Sequence, residues 1–190
     1  AADRMAMENR KRGTGAKIQD VKVSKNNELY ILYVNNRSDQ EAGNWLSMIK
    51  YNSAGRLLWD RVIYARTWQN QTYTYRAGNF AFDKTGGIVL AVDQQATPGS
   101  LPFYTDEFRT KLARLNGEAT KVFWGKLIHP IAPLGTAVRV VVDGENYIYA
   151  VGVEHADWTQ PTIGVSEFRI NLSKFDISGN RLLVQRFKQL

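Results

Sequence analysis

Residues 82–92 have the sequence FDKTGGIVLAV, in which a short polar segment separates one apolar residue from a continuous apolar run. Gly and Asp favour tight turns, because Gly adopts positive φ without steric cost and Asp bonds to its own backbone. The run from Ile88 to Val92 is apolar throughout, which is typical of a strand covered on both faces. This stretch therefore predicts a strand, a tight turn and a second strand.

The same pattern occurs in two other segments, residues 23–33 (VSKNNELYILY) and residues 142–151 (VDGENYIYAV). Leu29, Ile88 and Tyr147 align at a spacing of fifty-nine positions. A second pattern of strand, turn and strand repeats over residues 48–59, 112–124 and 172–184. We therefore predict three copies of a unit of about sixty residues, each with four short antiparallel strands.

Sheets that are apolar on both faces have to be stacked on one another, as the blades of a β-propeller are. We expect an all-β, propeller-like fold with three four-stranded antiparallel blades, which span approximately residues 17–65, 76–128 and 136–190. Residues 1–16 are expected to form a flexible N-terminal arm or, alternatively, a strand that completes another blade. The connections between blades, including residues 65–75, are expected to be long loops.

Residues 50–59 (KYNSAGRLLW) and 81–92 (AFDKTGGIVLAV) together resemble the bacterial β-propeller repeat known as SBBP. The spacing of Asn or Asp, Gly and Trp is also similar to that of quinoprotein-like propeller repeats. The resemblance covers about residues 17–190 and implies a binding or scaffolding role at the bacterial surface, without catalytic residues. The third copy departs from the pattern, because Val184 stands where the repeat has Trp.

Three blades are fewer than the four to eight of a closed propeller. An open row of blades exposes an apolar face at each end, and such large exposed patches are unusual. Three solutions remain open from the sequence. Two chains could close a six-bladed ring by dimerisation, the chain could be part of a larger propeller, or the sheets could form another compact β fold.

The composition excludes several classes of protein. The chain has no cysteine, which excludes disulfides, thiolate catalysis and thiolate zinc sites. No apolar run reaches the length of a membrane-spanning helix, so we expect no membrane span. The chain begins with Ala1 rather than Met, which fits a protein trimmed after a signal peptide, and we expect a secreted, periplasmic or cell-surface location.

The net charge of +7 raises anionic partners as a possibility, and many of the basic residues recur at matching positions of the repeat. These residues are Lys50, Arg114 and Lys174, then Arg56, Lys121 and Arg181, then Arg61, Lys126 and Arg186. Cations on outer strands block edge-to-edge aggregation, which is the interpretation we favour. The alternative is a basic outer rim that binds anions or nucleic acid. Nucleic acid is disfavoured, because the chain has no recognition-helix or zinc pattern.

One end of the fold is predicted to collect the long loops, which carry aromatic residues beside carboxylates. Aromatic platforms beside acidic groups suit sugars, peptides or cationic groups. Long loops on a rigid scaffold are also where binding residues concentrate. The candidate ligand-binding residues are Trp45, Trp68, Phe103, Tyr104, Asp106, His155, Asp157 and Trp158.

From these patterns we expect a non-enzymatic binding or scaffold protein that presents its long-loop face to a protein or carbohydrate partner. It would be a homo-oligomer or part of a larger propeller. The sequence identifies no catalytic residue, no metal ligand and no cofactor site. The enzyme alternative is a carbohydrate-active hydrolase or lyase that uses loop carboxylates as acid and base.

Overall fold

The computed structural model describes residues 16–36, 44–64, 67–68, 71–97, 107–130, 139–155 and 168–188. Every regular element in these ranges is a β-strand, and none of the described residues forms a helix that could cross a membrane. Among the described strands, all neighbours within a sheet follow one another in the chain and pair in antiparallel orientation. The predicted all-β class is confirmed.

The strands form three separate sheets, which we call blades 1, 2 and 3. Blade 1 contains β1 (Ala16–Val23), β2 (Leu29–Asn36), β3 (Asn44–Tyr51) and β4 (Leu57–Tyr64). Blade 2 contains β5 (Thr67–Trp68), β6 (Gln71–Phe82), β7 (Ile88–Thr97), β8 (Glu107–Leu115) and β9 (Val122–Pro130). Blade 3 contains β10 (Arg139–Val142), β11 (Ile148–His155), β12 (Phe168–Phe175) and β13 (Arg181–Lys188). Each blade thus holds the predicted four-stranded meander.

Tight turns join the first two and the last two strands of every meander. In the turn over residues 83–87, the N–H of Asp83 donates to the carbonyl of Gly87 at 2.9 Å. The Asp83 carboxylate accepts from the backbone N–H groups of Thr85 and Gly87, and Gly86 adopts a φ of +82°. The residue types that predicted this turn are therefore the ones that form it.

The third repeat is shifted by one residue from the alignment made on sequence. The turn over residues 143–147 closes between Asp143 and Tyr147, so the second strand of blade 3 starts at Ile148. Ile148, rather than Tyr147, is the equivalent of Leu29 and Ile88. Every residue of this strand is apolar or small up to Val153, so no alternation fixed its register in the sequence.

The same shift changes the residue that replaces the repeated Trp. Within each blade, one third-strand residue pairs with one fourth-strand residue at the same place in the repeat. These pairs are Lys50 with Trp59, Arg114 with Trp124, and Lys174 with Leu183. Leu183 therefore occupies the Trp position in blade 3, and the assignment of Val184 to it was wrong. Val184 faces Ser173 on the opposite side of the sheet.

Part of the connection between blades 1 and 2 is strand rather than loop. Trp68 belongs to the two-residue strand β5, which pairs with the first residues of β6, and β6 begins at Gln71. The prediction of a loop over residues 65–75 was wrong for these positions. Residues 71–75 (QTYTY) are rich in Thr and Tyr, which favour extended backbone and lengthen the strand.

Successive blades pack face to face around two apolar cores. The front face of a blade carries Leu32 in blade 1 and Ala91 in blade 2, and it packs on the back face of the next blade. The back face carries Leu90 in blade 2 and Ala150 in blade 3. Fully buried side chains such as Phe80 contribute about 1.5–3 kcal/mol each. The result is a propeller-like row of three blades that is not closed.

Candidate functional site

The antiparallel order places the tight turns and the long connections at opposite ends of the blades. The six tight turns lie over residues 24–28, 52–56, 83–87, 116–121, 143–147 and 176–180. The connections after β2, β7 and β11 leave from the other end, which we call the long-loop end. The candidate residues in these connections lie outside the described residues, and their role stays a prediction: Phe103, Tyr104, Asp106, Asp157 and Trp158.

Three candidate residues fall on strands near the long-loop end. Trp45 is the second residue of β3, is half-buried, and pairs with Asn35 on the back face of blade 1. Trp68 ends the short strand β5, and His155 ends β11, where it pairs with Phe168. The structure therefore distributes these candidates over all three blades, one to each.

A tyrosine and a lysine that the sequence analysis missed meet between blades 1 and 2. Tyr64 is the last residue of β4, at the long-loop end, and the Nζ of Lys111 lies 4.4 Å from the centre of its ring. Burial lowers the pKa of the Lys111 ammonium and raises the pKa of Tyr64 to about 12. A lysine with a lowered pKa gives up its proton more readily, and a phenol with a raised pKa stays protonated at neutral pH.

A buried carboxylate lies on the front face of blade 2. The hydroxyl of Thr110 donates to Oδ1 of Asp93 at 2.8 Å, and both residues are buried. β7 continues to Thr97 and holds Asp93 inside the sheet. The position of Asp93 directly after the apolar run Ile88 to Val92 is the sequence feature that indicates a buried polar residue here.

The opposite end of blade 2 contains a buried ion pair. The Nε of Arg114 donates to Oδ2 of Asp83 at 2.8 Å, and the Asp83 side chain is fully buried. Burial alone would raise the pKa of Asp83, but bonds from Thr85, Arg114 and Gly87 outweigh it and lower the pKa. The same third-strand position holds a cation beside the first hairpin turn in every blade, with Lys50 near Glu28 and Lys174 near Asp143.

Lys50 also connects blade 1 to blade 2. Its Nζ lies 3.0 Å from Oε1 of Glu28 and 2.7 Å from Oε1 of Glu118, and its side chain is only 6% exposed. Burial alone would lower the pKa of Lys50, but the bonds to Glu118, Tyr30 and Glu28 outweigh it and raise the pKa. Trp59 and Arg61 bond to the same Glu118. These contacts hold the tight-turn ends of the two blades together.

The basic residues that recur at matching positions of the repeat therefore have different structural roles. Lys50 and Arg114 neutralise carboxylates inside and between blades, while Arg56 and Lys121 are exposed at the turns. The third repeat is again shifted by one residue from the sequence alignment. Gln185, rather than Arg186, pairs with Leu172 in the way that Arg61 pairs with Met48. Within the described ranges, no group of three His, Cys, Asp or Glu side chains is arranged to hold a metal ion.

No protein-family model and no curated protein matches the chain. The solved structures that are similar in fold include two of a polysaccharide lyase. The first is the polysaccharide lyase PL25 ulvan lyase bound to -[GlcA(1-4)Rha3S]-, with 8% identity, and the second is another structure of PL25 ulvan lyase, with 9% identity. Each matches with a TM-score of 0.53 over 81% of this chain and 40% of the other. The chain thus spans less than half of their length, and the likeness shows the fold alone.

Proposed function

We propose that this chain is a carbohydrate-binding propeller module whose ligand is an acidic polysaccharide, bound at the long-loop end. The observation that carries the proposal is the fold likeness to an ulvan lyase bound to a chain of glucuronate and sulfated rhamnose. This likeness favours the carbohydrate alternative over the plain scaffold role that the sequence first favoured. A polysaccharide partner also agrees with the proposed location outside the cytoplasm.

The charge of the chain supports an anionic ligand. The net charge is +7, although Lys50 and Arg114 are committed to ion pairs within the fold. The field of the remaining cations attracts a polyanion over a distance of roughly 10 Å in 0.1 M salt. Binding to an acidic polysaccharide should therefore be faster and tighter at low salt than at high salt.

The aromatic candidates support a sugar ligand at the same end. Trp45 lies beside the long-loop connection of blade 1 and is half-buried, which fixes its ring while leaving part of it accessible. A fixed indole provides a large apolar surface for a sugar ring at low conformational cost. Tyr104 and Trp158 are the corresponding predictions in the connections of the other two blades.

A second candidate function is a lyase reaction on the same polymer, and the pair of Tyr64 and Lys111 favours it. In such an elimination, a base removes the proton next to the uronate carboxyl group and the glycosidic C–O bond breaks. The lowered pKa of Lys111 enlarges the fraction of neutral amine that can accept this proton, the leaving oxygen takes a proton from water, and the Tyr64 ring, whose hydroxyl is buried, packs beside the amine.

Affinity electrophoresis in gels that contain ulvan, a neutral glucan or no polysaccharide tests the binding proposal. We expect ulvan to retard the protein and the neutral glucan to leave its mobility unchanged. Trp45→Ala should reduce the retardation, and the matched change Phe123→Ala, on the exposed face of β9, should not. Equal mobility in all three gels would contradict the proposal.

The lyase candidate has its own test, because elimination creates an unsaturated uronate that absorbs ultraviolet light. Incubation with ulvan should raise this absorbance together with the number of reducing ends, and Lys111→Met should abolish both while retaining ulvan binding. Reducing ends without absorbance would indicate hydrolysis instead. Binding without either signal would leave the chain as a non-catalytic carbohydrate module.

A further inference from the structure

Adjacent blades are joined at their inner strands by a repeated contact. The Asp20 carboxylate in blade 1 accepts from the backbone N–H of Phe80 in blade 2 at 3.0 Å. The Asn79 side-chain oxygen in blade 2 accepts from the backbone N–H of Val140 in blade 3 at 2.7 Å. Asn79 also donates to Asp20, so its amide bonds to the blade before it and the blade after it. One docking geometry is therefore used twice.

The outer strands repeat a second contact. The indole N–H of Trp59 donates to Glu118 Oε2 at 2.7 Å, in the last turn of blade 2. The indole N–H of Trp124 donates to the carbonyl of Ile177 at 3.0 Å, in the last turn of blade 3. In both interfaces the fourth strand of one blade thus reaches the final turn of the next.

Among the described residues, no other blade covers the two outer faces of the row, and one of them is a back face while the other is a front face. The back face of blade 1 exposes Ile18, Val21, Val23 and Val62, with between 47% and 62% of each residue accessible. The front face of blade 3 exposes Val141, Ile170, Leu183 and Phe187, with between 43% and 58% accessible. A front face and a back face are the two surfaces that pack together at both existing interfaces.

The register shows which residues of these two faces correspond to buried ones. Val21 faces Ile31 as Phe80 faces Leu90, so Val21 stands at the position that Phe80 fills between blades 1 and 2. Val23 stands in the same way at the position of Phe82. The exposed back face of blade 1 therefore has the same positions as the back face of blade 2, on which the front face of blade 1 packs.

The charges at the two faces are complementary. Arg139 faces Val151 in blade 3 as Asp20 faces Leu32 and Asn79 faces Ala91, so it stands at the inner docking position of blade 3. Between blades 1 and 2, the residues at this inner docking position contact each other, because Asn79 of blade 2 donates to Asp20 of blade 1. A front-to-back contact between copies therefore brings a guanidinium to a carboxylate.

We propose that the front face of blade 3 binds the back face of blade 1 in a second copy of this chain, so that two copies close a six-bladed ring. Arg139 of each copy then pairs with Asp20 of the other, and the apolar faces at both ends of the row are covered at once. The contact continues the register of the two interfaces within the chain. This inference does not rest on the carbohydrate proposal, although Trp45 lies at the long-loop edge of the same back face of blade 1.

Light scattering coupled to size exclusion tests the ring, since the chain has a mass of 21.6 kDa. We expect a single species of twice this mass that dissociates on dilution. Arg139→Glu places like charges together and should raise the dimer dissociation constant about tenfold or more. Lys121→Glu makes the same charge change in a turn of blade 2 and should leave the constant unchanged.

A gain-of-function variant keeps the test decisive if Arg139→Glu folds poorly. Leu183 stands at the position of Trp59 and Trp124, and the space around its expected neighbour Gly55 is open. Leu183→Trp should therefore lower the dissociation constant of the dimer several-fold. A monomer at all concentrations for the wild type and for Leu183→Trp would overturn the proposal. Open-ended polymers would overturn it as well, because they would show that the contact does not close.

Discussion

Lys50 of blade 1 and Glu118 of blade 2 form an ion pair across the first interface between blades, with Nζ and Oε1 2.7 Å apart. Lys50 is buried and Glu118 is half exposed, so the pair anchors a sheet residue to a surface turn. The hydrogen bond from Lys50 is the main cause that lowers the pKa of Glu118. Docking between blades thus depends on charge as well as on the apolar core.

Glu118→Ala should destabilise the protein, because it leaves the buried Lys50 with one carboxylate and removes the acceptor of Trp59. We expect the free energy of unfolding to fall by about 1–2 kcal/mol, a value at the low end for charged hydrogen bonds because Glu118 is half exposed. Denaturant melts measure the change. Glu145→Ala, in a turn of blade 3, is the matched control and should leave the melt unchanged within error.

Asp83→Ala should lower the free energy of unfolding considerably more than Glu118→Ala does. The Asp83 side chain is fully buried, and its removal leaves the Arg114 guanidinium without its carboxylate partner. We expect a loss of about 3–5 kcal/mol in the free energy of unfolding. Asp143→Ala removes the equivalent carboxylate of blade 3, which lies at the surface, and should cost clearly less. Equal losses for the two variants would contradict the importance assigned to burial.

Acid should destabilise the protein through these carboxylates. The pKa of Asp83 lies below its ordinary value of 3.8 and that of Glu118 below 4.5, so the unfolded chain binds protons first as pH falls. Their contribution to stability is complete above about pH 5 and is lost as pH falls through the folded values. Urea melts from pH 6 to pH 3 should show this loss. In Asp83→Asn the decline should be shallower, and an identical decline would contradict the assignment.

Gly179→Ala tests the docking of Trp124 on the last turn of blade 3. Gly179 has a φ of +83°, and a Cβ added there would lie 2.9 Å from the Trp124 indole. Gly55 has a φ of +75° in the equivalent turn of blade 1, with nothing within 4 Å of an added Cβ. Gly55→Ala should cost about 1–2 kcal/mol through backbone strain alone. Gly179→Ala should cost more in the same thermal melts, and the difference measures the indole contact.

The sequence predicted the repeated meander because its turns carry Asp, Asn and Gly at the positions that need them, as Asp83 and Gly86 do. It misaligned the third repeat because the strand after Tyr147 is apolar at nearly every position, and such a strand has no alternation that fixes register. The turn hydrogen bonds were needed to place Ile148 and Leu183 correctly.

The contacts between blades were less accessible to sequence reasoning. Lys50 and Arg114 were expected on an outer rim, yet each is bound to a carboxylate that is distant in the chain. Tyr64 and Lys111 meet only because two blades stack, and their separation of almost fifty residues carries no motif. Sequence reasoning finds elements and turns, whereas pairs of this kind follow from the packing of one sheet on another.

The central claim, an acidic polysaccharide bound at the long-loop end, is tested most directly by hydrogen–deuterium exchange with and without ulvan oligosaccharides. We predict slower exchange at the strand ends beside the long loops, around Asn36, Asn44 and Thr97, and no change at the tight turns over residues 52–56 and 116–121. A neutral glucan should leave exchange unchanged throughout. Protection confined to the tight turns, or equal protection by the neutral glucan, would contradict the account.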